Sequence, residues 1–436
     1  MRQSYTFYIN KPRDLSKLLL SKSKKVDYIS ILDSNTQITR PSLPADYINY
    51  DLLAGVDAMK VLEVSRDAFN QLKKFHQQHQ DWLFGYLSYD LKNEVEKLTS
   101  TNHDGVQAAS LSFFIPKYVL LLKGNVLEIH TNESKENCEQ FLAKLEVNND
   151  EKTTKTITLQ RRERKDVYLQ KIAQIKRHIQ RGDIYEMNYC QEFFTRETNL
   201  NPAVIFQKLN KNTATPFSSF LKLNHIFAMC TSPERFIKKS GNQLISQPIK
   251  GTRKKGVNKE QDNILIKELT NSEKDISENV MITDLVRNDL SITATKGSVK
   301  VTELCGVYAF EKVHQMITTI TSKVDEKVHF STILKSIFPM GSMTGAPKLK
   351  AMELIEDLES FKRGIFSGAI GYITPKGDFD FNVVIRTILY NASTKYLSVG
   401  VGGAITIRSD AEEEYEECLV KVKPIFEVLN FQLDEK

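Results

Sequence analysis

Most of the apolar residues in this chain fall in runs of strand length, and several of those runs meet across very short turns. The runs 366 to 374 and 379 to 390 flank Gly377-Asp378, and the second of them meets 396 to 407 across Asn391-Ala392-Ser393. Connections this short suit antiparallel hairpins and cannot hold the crossover that parallel strands require. The pattern predicts an α+β fold, with antiparallel sheets and helices packed outside them, and disfavours a doubly wound parallel sheet. Further strand-like runs lie near 218 to 230, 243 to 249 and 299 to 302. Helical spacing is readable at 261 to 289, 331 to 338, 347 to 358 and 411 to 430. It is clearest where Tyr168, Ile172, Ile175 and Ile179 recur ahead of Gly182. In the strand that follows, period two puts Glu186 and Asn188 on one face and Tyr185, Met187 and Tyr189 on the other.

Before residue 150 the apolar runs Tyr28 to Leu32, Trp82 to Tyr89, Phe113 to Leu122 and Val126 to His130 announce no chemistry. The charged stretch 148 to 166 reads either as a boundary or as a solvated loop, and dividing the chain there gives an N-terminal subdomain (1–150) and a catalytic domain (160–430). A length of 436 residues allows two or three domains, and 41% hydrophobic with 26% charged residues excludes a disordered or fibrous chain. The net charge of +6 is spread along the chain, so nucleic acid is not the expected partner. Five scattered cysteines with no Cys-x-x-Cys suggest neither a disulfide framework nor a zinc site, and they fit a reducing cytoplasm. Apolar runs such as Tyr118 to Leu122 are too short to span a bilayer, and the first residues lack the apolar core of a signal peptide.

Three patterns carry chemistry. Asp275-x-x-Glu278 and Glu414-x-x-Glu417 each place two carboxylates on one helix face. Two such faces brought together would make a hard-oxygen site suited to magnesium, although solvated acidic faces have the same spacing. The loop Gly341 to Lys348 leads through Pro347 into a helix, an arrangement that can receive phosphate or carboxylate, and Gly-Ala-Pro-Lys does not fit a nucleotide-binding Walker loop. Lys250 lies between an apolar run and Gly251, sixteen residues after Glu234. Arg253, Lys254 and Lys255 nearby predict a field that lowers its pKa toward the range where an amine is a nucleophile, whereas a surface lysine at a turn is the plainer reading.

In this order, these segments resemble the chorismate-utilising enzymes over residues 160 to 430. The resemblance rests on Pro248-Ile249-Lys250-Gly251-Thr252, Asp284 to Asp289, Gly341 to Lys348 with Ala351 to Ile355, Ile385-Arg386-Thr387 and Glu414-x-x-Glu417. It implies two large antiparallel sheets packed face to face, and magnesium held by Glu278 and Glu417 with Asp275 and Glu414 beside them. It also implies that Arg386, Lys421 and the backbone at Gly402 and Gly403 receive substrate carboxylates, with Tyr372, Thr344, Gly345 and Lys348 lining the same pocket. Isochorismate and salicylate synthases carry a lysine base where this chain has Glu186, and anthranilate synthases carry alanine where it has Lys250. Lys250 resembles the branch that forms 4-amino-4-deoxychorismate for p-aminobenzoate and folate. There the lysine attacks C2 of chorismate, Glu234 matches the general acid for the C4 hydroxyl, and ammonia from a glutamine amidotransferase partner then adds at C4. Gln315 stands where many members have histidine, a further contrast with anthranilate synthase component I, the alternative reading. Ile31-Leu32-Asp33-Ser34 resembles the family's tryptophan-binding segment.

Overall fold

A computed structural model describes residues 2–36, 48–145 and 156–433. Two antiparallel layers share one strand. The first runs Gln3–Tyr8, Val126–Thr131, Leu111–Lys123, Leu52–Val64, Tyr28–Asp33, Phe217–Leu223, Ile226–Ser232, Thr387–Asn391, Tyr396–Ile405 and Glu186–Thr195. The second starts from the first residues of Leu111–Lys123 and runs Leu83–Leu87, Ala369–Ile373, Phe379–Asn382, Arg235–Ser240, Gln243–Gln247 and Val313–Lys323. Ile249–Lys254 and Lys300–Ala309 then pair with Val313–Lys323. Hydrogen bonding is continuous through the shared strand, and the two layers are the large antiparallel sheets that the resemblance implies.

Strand alternation divides the core in two. In the shared strand, Val119 and Leu121 join the cluster between the layers, whereas Tyr118, Leu120 and Leu122 pack on the helices outside. Lys165–Gln180, Pro202–Thr213 and Ala411–Leu429 cover that outer face, with Ile172, Phe206 and Ile425 among the buried residues. Strands from before residue 150 lie within both layers, since Tyr28–Asp33 pairs with Phe217–Leu223 and Leu83–Leu87 pairs with Ala369–Ile373. Of the expected boundary, residues 148 to 155 lie outside the described residues, while Ile157–Arg161 is a strand beside Glu186–Thr195.

Two elements differ from the sequence reading in ways that matter for the site. The single helix expected over 261 to 289 is two, Lys259–Thr270 and Glu273–Ser291. Asn271 ends the first and Ser272 caps the second by accepting the Asp275 N–H at 3.3 Å, so Asp275 and Glu278 lie at the start of a helix. Likewise, 379 to 390 is two strands: the chain passes from the second layer to the first between Asn382 and Thr387. It makes the opposite crossing between Ser232 and Arg235.

Candidate functional site

The two crossings lie side by side. Val383 N–H donates to the Glu234 carbonyl at 3.0 Å, and Thr231 N–H donates to the Arg386 carbonyl at 3.2 Å. Glu234 and Arg386 are thus brought together where strands leave one layer for the other. Arg386 adopts a positive φ of 51°, a conformation that costs free energy in a residue with a side chain. Its guanidinium has no hydrogen-bond partner among the described residues, which leaves a fork of donors for a carboxylate.

Lys250 is aimed by a bulge. Ile249 pairs with Ile317 and Thr252 with Gln315, so one extra residue is inserted at Lys250-Gly251, and Gly251 takes a φ of +84°. The bulge delivers the Lys250 ammonium to Glu186, with Nζ donating to Oε1 at 3.1 Å. Burial pulls the Lys250 pKa down, but the charges of Glu186, Glu278 and Glu234 outweigh it and the result lies above the ordinary value. The lowered pKa expected from Arg253, Lys254 and Lys255 is therefore corrected: Arg253 is turned to Asp275 at 2.7 Å, Lys254 and Lys255 are exposed, and carboxylates distant in sequence decide the field. Glu234 is buried, which pushes its carboxyl up to about 7 against the lowering effects of Ser342, Lys250, the Ile249 N–H and Arg386. A carboxyl that holds its proton near neutrality is suited to donating it.

The four acidic residues read as metal ligands face one another across two helices. Lys274 stands among them: its Nζ lies 3.6 Å from Glu414 Oε1, and Glu414, Glu278, Glu417 and Asp275 together hold its pKa up against burial. Burial pushes Glu278 up to about 7, and its Oε1 is buried without a hydrogen-bond partner. Burial also raises Glu417, but Lys421, bonded at 2.8 Å, outweighs it and the carboxyl lies below its usual range. Among the described residues no three acidic, His or Cys side chains converge closely enough to hold an ion as they stand. Their all-oxygen chemistry, the orphaned Glu278 oxygen and the interposed cation nevertheless fit a divalent ion that displaces Lys274.

Lys421 also donates to the Gly402 carbonyl at 2.9 Å. A Cβ at Gly402 would lie 2.2 Å from the Tyr189 carbonyl, so only glycine permits this approach there, and Gly403 faces Glu414 and Lys421. The loop Gly341 to Lys348 lies on the strand of Glu186, with Gly345 opposite Met187 and Ala346 opposite Glu186. A Cβ at Gly345 would lie 2.2 Å from the Glu186 carbonyl. Thr344 turns its hydroxyl back to the Met340 and Gly341 carbonyls.

Two expected substrate contacts are corrected by the geometry. Lys348 gives its three donors to Asp289 (2.6 Å), the Pro339 carbonyl (3.0 Å) and the Ile337 carbonyl (3.4 Å), which leaves none for a ligand. Tyr372 is in another cavity. Ile370 and Tyr372 share a strand face that lines it together with Leu32, Asp33, Ser34 and Arg235. There the Tyr372 ring packs on Trp82 with centroids 5.8 Å apart.

Sequence reasoning missed Lys274, Ser342 and the pairing of Glu186 with Lys250. Ser272-x-x-Asp275 was the available signal for the helix start that places Lys274. Gln315 is buried opposite Thr252 with its side-chain carbonyl unpartnered, and neighbouring His314 bonds Asp262 at 2.6 Å.

The chain is similar to several known proteins. The family model described as chorismate binding enzyme matches residues 30–427. Aminodeoxychorismate synthase component 1 of Escherichia coli strain K12 is 33% identical over 347 residues, 79% of this chain and 76% of that protein. The protein of the same name from Klebsiella aerogenes is 38% identical over 265 residues, 61% of this chain and 58% of its own length. Among solved structures, anthranilate synthase component I from Streptococcus pneumoniae TIGR4 superposes with a TM-score of 0.77 at 21% identity, covering 87% of this chain and 93% of that one. The menaquinone-specific isochorismate synthase of Escherichia coli gives 0.78 at 16% identity, covering 99% and 94%. At these identities the structural likeness shows a common fold. No helix among the described residues is long and apolar enough to cross a membrane.

Proposed function

Since the chain belongs to the chorismate-binding enzyme family, we propose that it converts chorismate and ammonia to 4-amino-4-deoxychorismate, the ammonia coming from glutamine through a separate amidotransferase subunit. The observation that carries this reading is Lys250, delivered by its bulge into a group of carboxylates that includes Glu234, whose proton is held near neutral pH. The relatives named for the same reaction support it.

The Lys250 nitrogen forms a bond to C2 of the ring as the C4 hydroxyl leaves, and Glu234 gives its proton so that water departs. Ammonia then forms the C4–N bond, and the C2–N bond breaks with its electron pair returning to lysine. The free guanidinium of Arg386 and the ammonium of Lys421 orient the substrate carboxylates. Glu278 and Glu417, with Asp275 and Glu414 beside them, would hold magnesium, which when bound supplies positive charge for the ring carboxylate and the departing oxygen. The enzyme is then a transferase of the cytoplasm, acting on a small dianion.

The test is incubation with chorismate, magnesium and an ammonium salt, followed by mass spectrometry. Aminodeoxychorismate is the expected product. Anthranilate with pyruvate would replace the reading by anthranilate synthase component I, and complete inactivity of folded protein would make the chain a binder of carboxylates.

A further inference from the structure

We propose that Glu186 is a catalytic residue, the proton acceptor that converts the Lys250 ammonium into the amine that attacks and later returns the same proton. The inference rests on the function proposed above and adds a group to it. Lys250 Nζ donates to Glu186 Oε1 at 3.1 Å, and Glu186 Oε2 is buried without any hydrogen-bond donor. Glu186 is 1% exposed. A buried carboxylate oxygen left unpaired carries a desolvation cost that a purely structural ion pair would avoid, and it is the acceptor position a proton can take without breaking another bond.

The other carboxylates around Lys250 have separate work. Glu234 must hold a proton for the departing hydroxyl and therefore cannot begin by accepting one. Glu278 at the start of its helix and Glu417 on the helix Ala411–Leu429 influence Lys250 by charge but make no hydrogen bond to it. Lys274 and Lys421 stand behind those two, and Arg386 stands behind Glu234. Glu186 alone among these groups is bonded to the nitrogen that reacts.

The step balances. A proton passes from the lysine ammonium to Glu186, the neutral amine bonds to C2, and the hydroxyl leaves as water with the Glu234 proton. The secondary ammonium so formed leaves as a neutral amine when ammonia bonds to C4, and Glu186 gives its proton back. The product ammonium at C4 reprotonates Glu234, so the net change is ammonia in and water out. The loop at Gly345 and Ala346 pairs with the backbone of Met187 and Glu186, which holds the acceptor in place.

The experiment compares wild type, E186Q and E186D with chorismate, magnesium and saturating ammonium from pH 6.5 to 9.5, a range set by general acid–base practice of about three pH units. The ratio of variant to wild-type kcat is read, so the rise of free ammonia with pH cancels. E186Q is expected to lose about 100-fold in kcat at neutral pH with KM for chorismate within about twofold, and the ratio should climb as solvent takes over deprotonation. E186D keeps a carboxylate and should lose less than E186Q. A ratio near one, or a loss that is the same at every pH, overturns the proposal, because an ion pair that only positions Lys250 gives no pH-dependent recovery. If E186Q fails to fold, E186D decides: a loss as large as that of K250A at every pH overturns the proposal, and a partial, pH-dependent loss supports it. Failure of wild type to form aminodeoxychorismate would be failure of the proposed function instead, and it is visible before any variant is made.

Discussion

Two half-buried lysines of this protein each face a buried carboxylate, and their hydrogen-bond accounts differ. Around Lys348 the account closes: three donors meet Asp289 and two backbone carbonyls. Around Lys250 it does not: one bond to Glu186 is made, several negative charges surround a single ammonium, and oxygens of Glu186 and Glu278 are left without donors. The first arrangement staples the loop Gly341 to Lys348 to the helix Glu273–Ser291. The second holds unmet interactions ready for a substrate. Burial of a charged residue therefore does not mark a site by itself, whereas an open account does.

The sharpest way to break this contrast is to remove each ammonium. K250M should abolish turnover, with kcat lower by about 10³-fold or more and chorismate binding retained in calorimetry, because the reacting nitrogen is gone. It should cost little stability, since Glu234 and Glu278, both raised to about 7 by burial, can take up protons instead of remaining charged. K348M should do the opposite. Asp289 is left buried opposite a methyl group, and loss of one partner of such a pair costs about 3 kcal/mol, visible as a lowered melting temperature. Its KM for chorismate, corrected for the folded fraction, should stay within about threefold. A stable K348M with a KM raised tenfold or more would return Lys348 to the substrate and erase the distinction.

The parts of this arrangement that were legible in the sequence are those carried by local pattern. Gly377-Asp378 shows a turn, the three-residue spacing of Glu414 and Glu417 shows a shared face, and Gly251 after Lys250 shows a break in a strand. What was not legible depends on partners far along the chain. The neighbours of Lys250 in sequence are basic, but its neighbours in space, Glu186 and Glu278, are 64 and 28 residues away in opposite directions, reached through strand order and a helix start. A motif supplied the type of residue at position 348 but not the three acceptors that occupy it, two of which are backbone carbonyls that no side-chain pattern can show.

A smaller effect separates the two regions by pH. Glu234 is raised to about 7 by burial, so its acid form is depleted as pH rises through that value, and wild-type kcat should fall about tenfold per unit above it. Glu278, also raised to about 7, must lose its proton before it can bind a cation. Magnesium affinity measured by calorimetry should therefore weaken by up to about tenfold per unit below neutrality. A flat kcat above pH 7 would mean that Glu234 is not the proton donor. K348M should instead lose melting temperature relative to wild type as pH rises above about 6, since Lys348 is what lowers Asp289 against burial and without it the buried carboxyl must ionise unpaired.

The smallest effect is expected of Y372F. Glu234 lies in the crossing between layers, and Arg235 opens the strand that follows it. Arg235 turns to Asp380, with Nε to Oδ1 and Nη2 to Oδ2 both at 2.9 Å, in the cavity that Tyr372 lines. Burial holds the Tyr372 hydroxyl well above its ordinary pKa, so it is a neutral phenol across the working range and no source or sink of protons. Its ring packing on Trp82, Phe84 and Tyr50 survives in phenylalanine. Turnover and KM for chorismate should then stay within about twofold of wild type. A tenfold rise in KM would place the hydroxyl against the substrate and return Tyr372 to the site of Glu234.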